Sequence, residues 1–344
     1  MKPLVSILIP AFNAQEWIAD TLRSAIGQTW DLKEIIVVDD GSSDRTLAIA
    51  RQFESDSVKV FTQKNQGAAA ARNQAFSLSR GDYIQWLDAD DLLAQDKIAL
   101  QIKALGRCNS NRTLLSSPWG RFLYRYYRAK FVPTALWADF SPTEWLLNKM
   151  GQNLHMQTAT WLVSRELTGA AGPWNTQLLG DDDGEYFCRV LLQSTGVLFV
   201  PQARVYYRAS GTSSLSYVGR SDRKREAQWR SMELHISYLR SLEDSPRTRA
   251  ACVKYLQNWL VYFHPERPDI VRQAVQVAFA LGGKLEAPRL SWKYSWMVPL
   301  FGRGLTYRAQ VFLQQFRSDL QRFLDKVLLH LDRRRVGDNL GIVR

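Results

Sequence analysis

The run IQWLDADDLL, residues 84–93, places three carboxylates, Asp88, Asp90 and Asp91, within four positions directly after an apolar stretch. Like charges this close oppose one another's ionisation unless positive charge stands among them. A divalent cation meets that need. Hard oxygen ligands at a strand end hold Mg²⁺ or Mn²⁺ incompletely and leave coordination positions for the phosphate oxygens of a ligand. An ion so held acts as a Lewis acid on a departing diphosphate. A second polar cluster, Asp39-Asp40-Gly41-Ser42-Ser43-Asp44, offers Asp40 as an acceptor for a nucleobase or ribose. A third, GDDDGEYFCR at 180–189, carries Asp181, Asp182 and Asp183. Read locally, it is a helix start whose acidic first turn suits the helix dipole.

The elements that position these residues alternate two periodicities. LVSILI (4–9), EIIVVDD (34–40), VKVFTQ (58–63) and DYIQWLD (82–88) read as buried strands. Between them, AQEWIADTLRSAIGQ, SSDRTLAIARQF and GAAAARNQAFSLS read as single helices. This order predicts a parallel sheet wound right-handedly, with ligands at the carboxyl ends of its strands. The polar clusters fall at those ends: PAFN at 10–13, the Asp39–Asp44 run, NQG at 65–67 and DADD at 88–91. Taken singly, Ser43 or Asp44 reads as a helix cap, Gly67 as a packing glycine and Arg72 as part of a solvated turn. Four such clusters on one sheet edge favour a ligand.

The 344 residues suffice for one large core with an appendage, or for two domains. Three widely spaced cysteines, Cys108, Cys188 and Cys252, form neither a disulfide framework nor a CxxC pair, which fits a reducing cytoplasm. The N-terminal apolar run is broken by Pro10, too early for a signal peptide or a membrane span. His155, His235, His264 and His330 lack zinc-ligand spacing. The net charge of +12 is unevenly spread. Residues 1–219 carry 22 basic against 21 acidic side chains, and residues 220–344 carry 23 against 12. That division puts a boundary near Gly219 and assigns any anionic partner surface to the C-terminal region.

The ordered series PAFN, VVDDGSSDRT (37–46), NQGAAAARNQA (65–75) and YIQWLDADDLL (83–93), continued by AGPWNTQLLGDDDGEYFCRVL (171–191) and YYRASGTSSLS (206–216), resembles the family two inverting glycosyltransferases. The resemblance covers roughly residues 4–216. It implies a GT-A fold: an α/β, Rossmann-like, mostly parallel sheet flanked by helices, followed here by a helical, basic C-terminal extension. It divides residues 1–219 into a donor half, about 1–110, and an acceptor half, about 111–219. The implied reaction moves a sugar from a nucleotide-diphosphate donor, a uridine diphosphate sugar foremost, to a hydroxyl of a glycan or lipid-linked acceptor. Carried over position by position, Pro10, Ala11, Asn13, Asp40, Gly67 and Arg72 become donor-binding residues. Asp88 and Asp90 reach ribose and metal, with Asp90 or Asp91 as the ligand of Mg²⁺ or Mn²⁺. The family places an acidic pair upstream of a helical Arg, matched by Asp182 and Asp183 before Arg189. Inversion needs one carboxylate to deprotonate the attacking hydroxyl, and Asp183 is the expected base, with Asp181 and Asp182 as alternatives.

Three regions stand apart from these motifs. YYRASGTSSLS reads as a loop closing over the diphosphate, with Arg208 as counter-charge, or as an ordinary connection. WGRFLYRYYRAKF (119–131) interleaves four basic residues with aromatics. Its place between donor motifs and the expected base favours an edge strand of the acceptor half over a nucleic-acid surface. SPTE at 141–144 predicts a capping box opening a short helix. From Leu305 to Leu331 apolar residues recur at helical spacing, suiting either packing on a neighbour or a peripheral contact with an anionic membrane at the cell's inner face. The alternative to an enzyme is a non-catalytic protein that binds sugar nucleotides or polyanions on the same fold.

Overall fold

The computed structural model describes residues 2–107, 110–209, 221–264 and 266–287, and in the tail 313, 316, 317 and 319–332. The sheet begins with β1 (Val5–Ala11), followed by α1 (Ile18–Ile26), β2 (Lys33–Asp39), α2 (Thr46–Arg51), β3 (Val58–Thr62), α3 (Ala68–Leu78) and β4 (Tyr83–Trp86). These match the strand and helix runs read from the sequence: β1, β4 and most of β2 are buried on both faces, while β3, at the sheet edge, is largely exposed. β5 (Leu92–Leu93), α4 (Lys97–Ala104), β6 (Thr113–Ser116), β7 (Trp119–Phe122), β8 (Lys130–Phe131), α5 (Pro142–Gln152), β9 (Val163–Ser164) and α6 (Arg165–Ala171) follow. The chain continues through α7 (Asp182–Gln193), β10 (Gly196–Phe199), β11 (Val205–Arg208), α8 (Asp222–Leu242), α9 (Pro246–Phe263) and α10 (Pro268–Ala280).

The main sheet has the order β3-β2-β1-β4-β9. It is parallel except at β9, which runs antiparallel to β4. After β3 the winding reverses across β1, so the carboxyl ends of β1 and β4 flank the switch point where such sheets bind ligands. β6 pairs with β10, and β5-β11-β7-β8 form a second sheet with β8 at its edge. The edge strand expected within residues 119–131 is therefore β7 and β8, joined by a short turn at Tyr126–Arg128.

One face of the main sheet packs on a core shared by Trp86, Trp161, Trp174, Tyr186 and the apolar sides of α8, α9 and α10. The helical region after residue 220 is thus built onto the fold. The boundary near Gly219 lies in residues 210–220, outside the described residues. The capping box forms only in half: Ser141 Oγ accepts from Glu144 N at 3.3 Å, but the Glu144 carboxylate takes Arg247 of α9 at 2.6 Å. A charged partner on another helix outcompetes the backbone N–H for that carboxylate.

Candidate active site

At the end of β1, Pro10 and Ala11 are buried, and Asn13 adopts a left-handed conformation (φ 47°). Its Oδ1 accepts from Ser43 N at 2.9 Å, and its N–H donates to Ser42 Oγ at 3.0 Å. Asn13 therefore braces the loop after β2 rather than pointing into open solvent. Gly41, at φ 70°, makes that turn, and a Cβ there would stand 2.9 Å from Asn65 N. Asp40 is nearly enclosed. Its Oδ1 accepts from Gln63 Nε2 (2.7 Å) and Gln66 N (2.8 Å), and its Oδ2 from Gly67 N (2.8 Å). The three donors fix the loop before α3, and Gly67, at φ 93°, supplies the backbone conformation that opens that helix.

Arg72 on α3 is the hub of the site. Its guanidinium donates to Asp88 Oδ1 at 2.8 Å and to Asp182 Oδ2 at 2.7 Å. It lies 4.3 Å from the centre of the Trp174 ring, which itself stacks on Tyr186 at 4.0 Å. Burial alone would lower the Arg72 pKa; Asp182 and Asp88 outweigh it and raise it. Arg72 thus joins the DADD cluster to the acidic start of α7 across 110 residues of sequence. Asn73 pins the same turn, donating to the Trp174 carbonyl at 2.9 Å and accepting from Trp174 N at 2.8 Å.

The three carboxylates after β4 occupy different environments. Asp88 and Asp90 are partly exposed; Asp91 is fully buried. Asp91 Oδ2 accepts from Gln157 Nε2 at 2.7 Å and Oδ1 from Arg208 N at 2.8 Å. Burial, then the charges of Asp90 and Asp88, push its carboxyl well above the usual range. Both Asp91 oxygens are engaged by protein donors, an arrangement that suits holding the loop and not an ion. The compensating positive charge expected among these carboxylates is supplied in part by the protein itself, through Arg72. Arg208 Nε donates to the Asp90 carbonyl at 2.8 Å, and its guanidinium lies 4.2 Å from the Trp17 ring and 4.5 Å from the Phe122 ring. Arg208 is therefore a buried brace of the DADD loop. The loop expected to close over the diphosphate falls, from residue 210 onward, outside the described residues.

Among the described residues no group of three or more His, Cys, Asp or Glu side chains is placed to hold a metal ion. Mg²⁺ and Mn²⁺ commonly take only one or two carboxylates and complete their shells with phosphate and water. The partly exposed Asp88 and Asp90 fit that donor set.

The acidic start of α7 separates in the same way. Asp181 caps the helix in a left-handed conformation (φ 53°) that turns its side chain away, toward α8. There it accepts from Ser231 Oγ at 2.6 Å and Gln228 Nε2 at 3.1 Å. Burial opposes its ionisation, but Lys149 and these donors outweigh burial and hold its pKa below the usual range. Asp182 belongs to Arg72, and burial raises its pKa despite that partner. Among the described residues the Asp183 carboxylate accepts a side-chain hydrogen bond from Thr158 Oγ1, at a long 3.3 Å. Burial first, then the charges of Asp182 and Asp181, push its carboxyl up to about 7. A carboxylate poised near neutral pH and weakly tethered has the properties of a general base. Arg189 serves structure: it grips Glu185 at 2.7 and 2.9 Å and the Pro173 carbonyl at 2.8 Å, holding the AGPWN turn on α7.

Sequence reasoning missed Trp17, Gln157 and Thr158. Trp17 carries only the signal of an apolar helix position, and QTAT at 157–160 has no motif value until the fold brings it under Asp91 and Asp183.

Residues 6–163 match the model of glycosyl transferase family 2. Over 105 residues the chain is 40% identical to the putative teichuronic acid biosynthesis glycosyltransferase TuaG of Bacillus subtilis (strain 168), which spans 30% of this chain and 42% of that protein. Over 100 residues it is 43% identical to chondroitin synthase of Escherichia coli, spanning 28% of this chain and 15% of that one. The chain thus covers less than half the length of these relatives. Among solved structures, S. aureus TarS 1-349 aligns with a TM-score of 0.60 at 18% identity, over 81% of this chain and 80% of that one. Its complex with UDP-GlcNAc aligns with a TM-score of 0.54 at 17% identity, over 84% and 95%. These structures share the fold, a β-sheet with flanking helices of GT-A type. The matched span contains the four motif clusters lining one edge of a sheet ordered 3-2-1-4, and over that span the chain is similar to glycosyl transferase family 2.

Proposed function

We propose that the protein is an inverting glycosyltransferase that moves a sugar from a uridine diphosphate donor to a hydroxyl of a glycan or lipid-linked acceptor. The observation that carries this reading is Asp183, a weakly tethered carboxylate that burial and its acidic neighbours push up to about 7, next in sequence to Asp182, which shares Arg72 with Asp88. UDP and UDP-GlcNAc complexes of the TarS fold relative support the donor class. The relatives named for teichuronic acid biosynthesis and for chondroitin synthesis support a polysaccharide acceptor.

In this reading the donor lies across the carboxyl ends of β1 and β4. The backbone of Pro10 and Ala11 faces the nucleoside, Asp40 orders the adjoining loop through Gln63, Gln66 and Gly67, and Asp88 faces the ribose. Asp183 takes the proton of the acceptor hydroxyl as that oxygen bonds to the anomeric carbon from the face opposite the diphosphate. The bond from that carbon to the diphosphate breaks, and nucleoside diphosphate leaves. Mg²⁺ or Mn²⁺, bound by Asp90 with Asp88 beside it, would supply positive charge to the departing diphosphate. Arg72 holds Asp88 and Asp182 in place.

Titrating UDP into the protein with Mn²⁺ and again in excess chelator tests the donor site. Tighter binding with metal, lost in Asp90→Asn and retained in Asp183→Asn, is expected. Equal affinity under both conditions counts against the metal assignment. From an α-linked donor the product is β-linked, and an α-linked product would rule out the inverting mechanism.

A further inference from the structure

The tail helix, described over 319–332, is attached along one edge, chiefly to Tyr124–Tyr127 in the acceptor half and through Lys326 to Glu16 in the donor half. Asp325 accepts from Tyr124 N (2.9 Å), Arg125 N (3.2 Å) and Arg125 Nε (2.8 Å). Asp332 takes Arg125 Nη1 at 3.4 Å and the Tyr127 hydroxyl. Lys326 Nζ donates to Glu16 Oε1 at 2.8 Å. The half-buried positions Arg322, Asp325, Leu329 and Asp332 recur at intervals of three and four residues and so form a single stripe.

The apolar stripe lies on the opposite side. Phe316, Leu320, Phe323, Leu324, Val327 and Leu331 fall on one helix face, and all are exposed, Phe323 to 64%. Core packing would have turned this face inward. Instead, five hydrogen bonds to Asp325 and Asp332 hold the polar edge against the protein and fix the apolar face outward. No helix among the described residues is long and apolar enough to cross a membrane. Basic residues lie close in sequence: Arg317 in the helix, and Arg333, Arg334 and Arg335 directly after it; Lys326 is held at the docked edge by Glu16. An exposed apolar helix face with cationic flanks matches the interface of an anionic bilayer, where rings and aliphatic chains enter the acyl boundary and Lys and Arg meet the headgroups.

We propose that the tail helix is an in-plane lipid contact that docks the enzyme on an anionic bilayer and so presents its cleft to an acceptor held in that surface. The docked edge adjoins the site. The Tyr124 and Trp17 rings meet at a tilt with centroids 5.3 Å apart, and Trp17 covers Arg208, which holds the Asp90 carbonyl. The bilayer, on the opposite face of the helix, lies one helix diameter, roughly 10 Å, from the donor loop. The choice of a membrane-held acceptor rests on the proposed sugar transfer; the lipid contact does not.

Sedimentation of the full chain with phosphatidylcholine vesicles, with and without phosphatidylglycerol, tests the contact. The wild type is expected to sediment with the acidic vesicles, to be released by salt, and to stay in solution with the neutral ones. Phe323→Asp/Val327→Asp should reduce partitioning at least about tenfold, since each apolar side chain withheld from the acyl boundary weakens binding. Both side chains are exposed, so UDP affinity and the melting temperature should match the wild type. Unchanged partitioning of this variant would overturn the proposal, as would failure of the wild type to sediment. A wild-type dimer that the same substitutions convert to monomer would assign the face to a second copy instead. Vesicle binding without sugar transfer would uphold the lipid contact and count against the transferase reading alone.

Discussion

The two acidic triplets, Asp88/Asp90/Asp91 and Asp181/Asp182/Asp183, are dispersed by the fold on one plan. Each sends one carboxylate into a set of neutral donors: Asp91 to Gln157 and the Arg208 N–H, and Asp181 to Ser231 and Gln228. Each gives one to Arg72, Asp88 from the first and Asp182 from the second. Each leaves one partly exposed at the cleft, Asp90 and Asp183. The triplets differ in what the last member faces. Asp90 stands on a strand-end loop braced by Arg208, where the proposed donor reading puts the cation. Asp183 stands on the first turn of a helix, surrounded by acidic neighbours, a place where a proton is retained near neutral pH. Two clusters alike in sequence thus acquire different chemistry from what surrounds their third member.

The largest separation between them should appear in turnover. Asp183→Asn keeps the side-chain shape and removes the basic oxygen, so sugar transfer should fall by roughly 10²–10⁴-fold while UDP affinity is kept. Asp90→Asn should instead weaken metal-dependent UDP binding. Transfer assays paired with UDP titrations check both, and a normal rate in Asp183→Asn alongside a collapsed one in Asp182→Asn would move the base to Asp182.

The bridge between the triplets should dominate stability. Arg72→Met leaves Asp88 and Asp182 facing each other without their shared cation, and denaturant unfolding should show a loss of about 3–5 kcal/mol. In Arg72→Met/Asp182→Asn part of that loss should return, because one of the stranded charges is gone. No recovery would mean that Arg72 acts chiefly through its stack on Trp174. The anchoring members come next. Asp181→Asn gives up the charged acceptor for Ser231 and Gln228, and stability should fall by about 1.5–3 kcal/mol. Asp183→Asn should not destabilise, since it removes a carboxylate that its neighbours repel.

How much of this was legible in the sequence follows from the range of each interaction. LVSILI and EIIVVDD announce buried parallel strands through local composition, and the strand ends locate the clusters. The division of labour inside each cluster was not legible. The partner of Asp182 is 110 residues away, and that of Asp181 is 50 residues away on a helix outside the family motifs. Within DDDG any of the three residues satisfies the local rules for a helix start; the left-handed backbone at Asp181 decides among them. Arg208 looked like a counter-charge for a ligand because sequence pattern does not record that Trp17 and Phe122 enclose it. In the tail the apolar period was plain, but Asp325 and Asp332, which determine the face that turns outward, are isolated acids in a basic stretch and carry no pattern of their own.

The smallest of the expected effects is the most direct reading of the Asp183 environment. Its pKa of about 7 in the folded protein lies above the ordinary value of roughly 4 for an unfolded aspartate. The folded state therefore holds the proton more tightly. The stability contributed by this group is full below about pH 4 and is lost as pH rises through about 7. Activity runs the opposite way, because the base works only when ionised: transfer rate should rise about tenfold per pH unit below 7 and level off above it. Asp182, Asp181, Asp88 and Arg72 all act on this carboxylate, so the limb reports the group together with its neighbours. Asp182→Asn removes the largest charge repulsion on Asp183 and should shift the limb to lower pH. Asp181→Asn should shift it in the same direction by less, as that carboxylate faces α8. A pH–rate profile of the three proteins checks the order, and a limb that stays in place when both neighbours are neutralised would show that burial alone sets the Asp183 pKa.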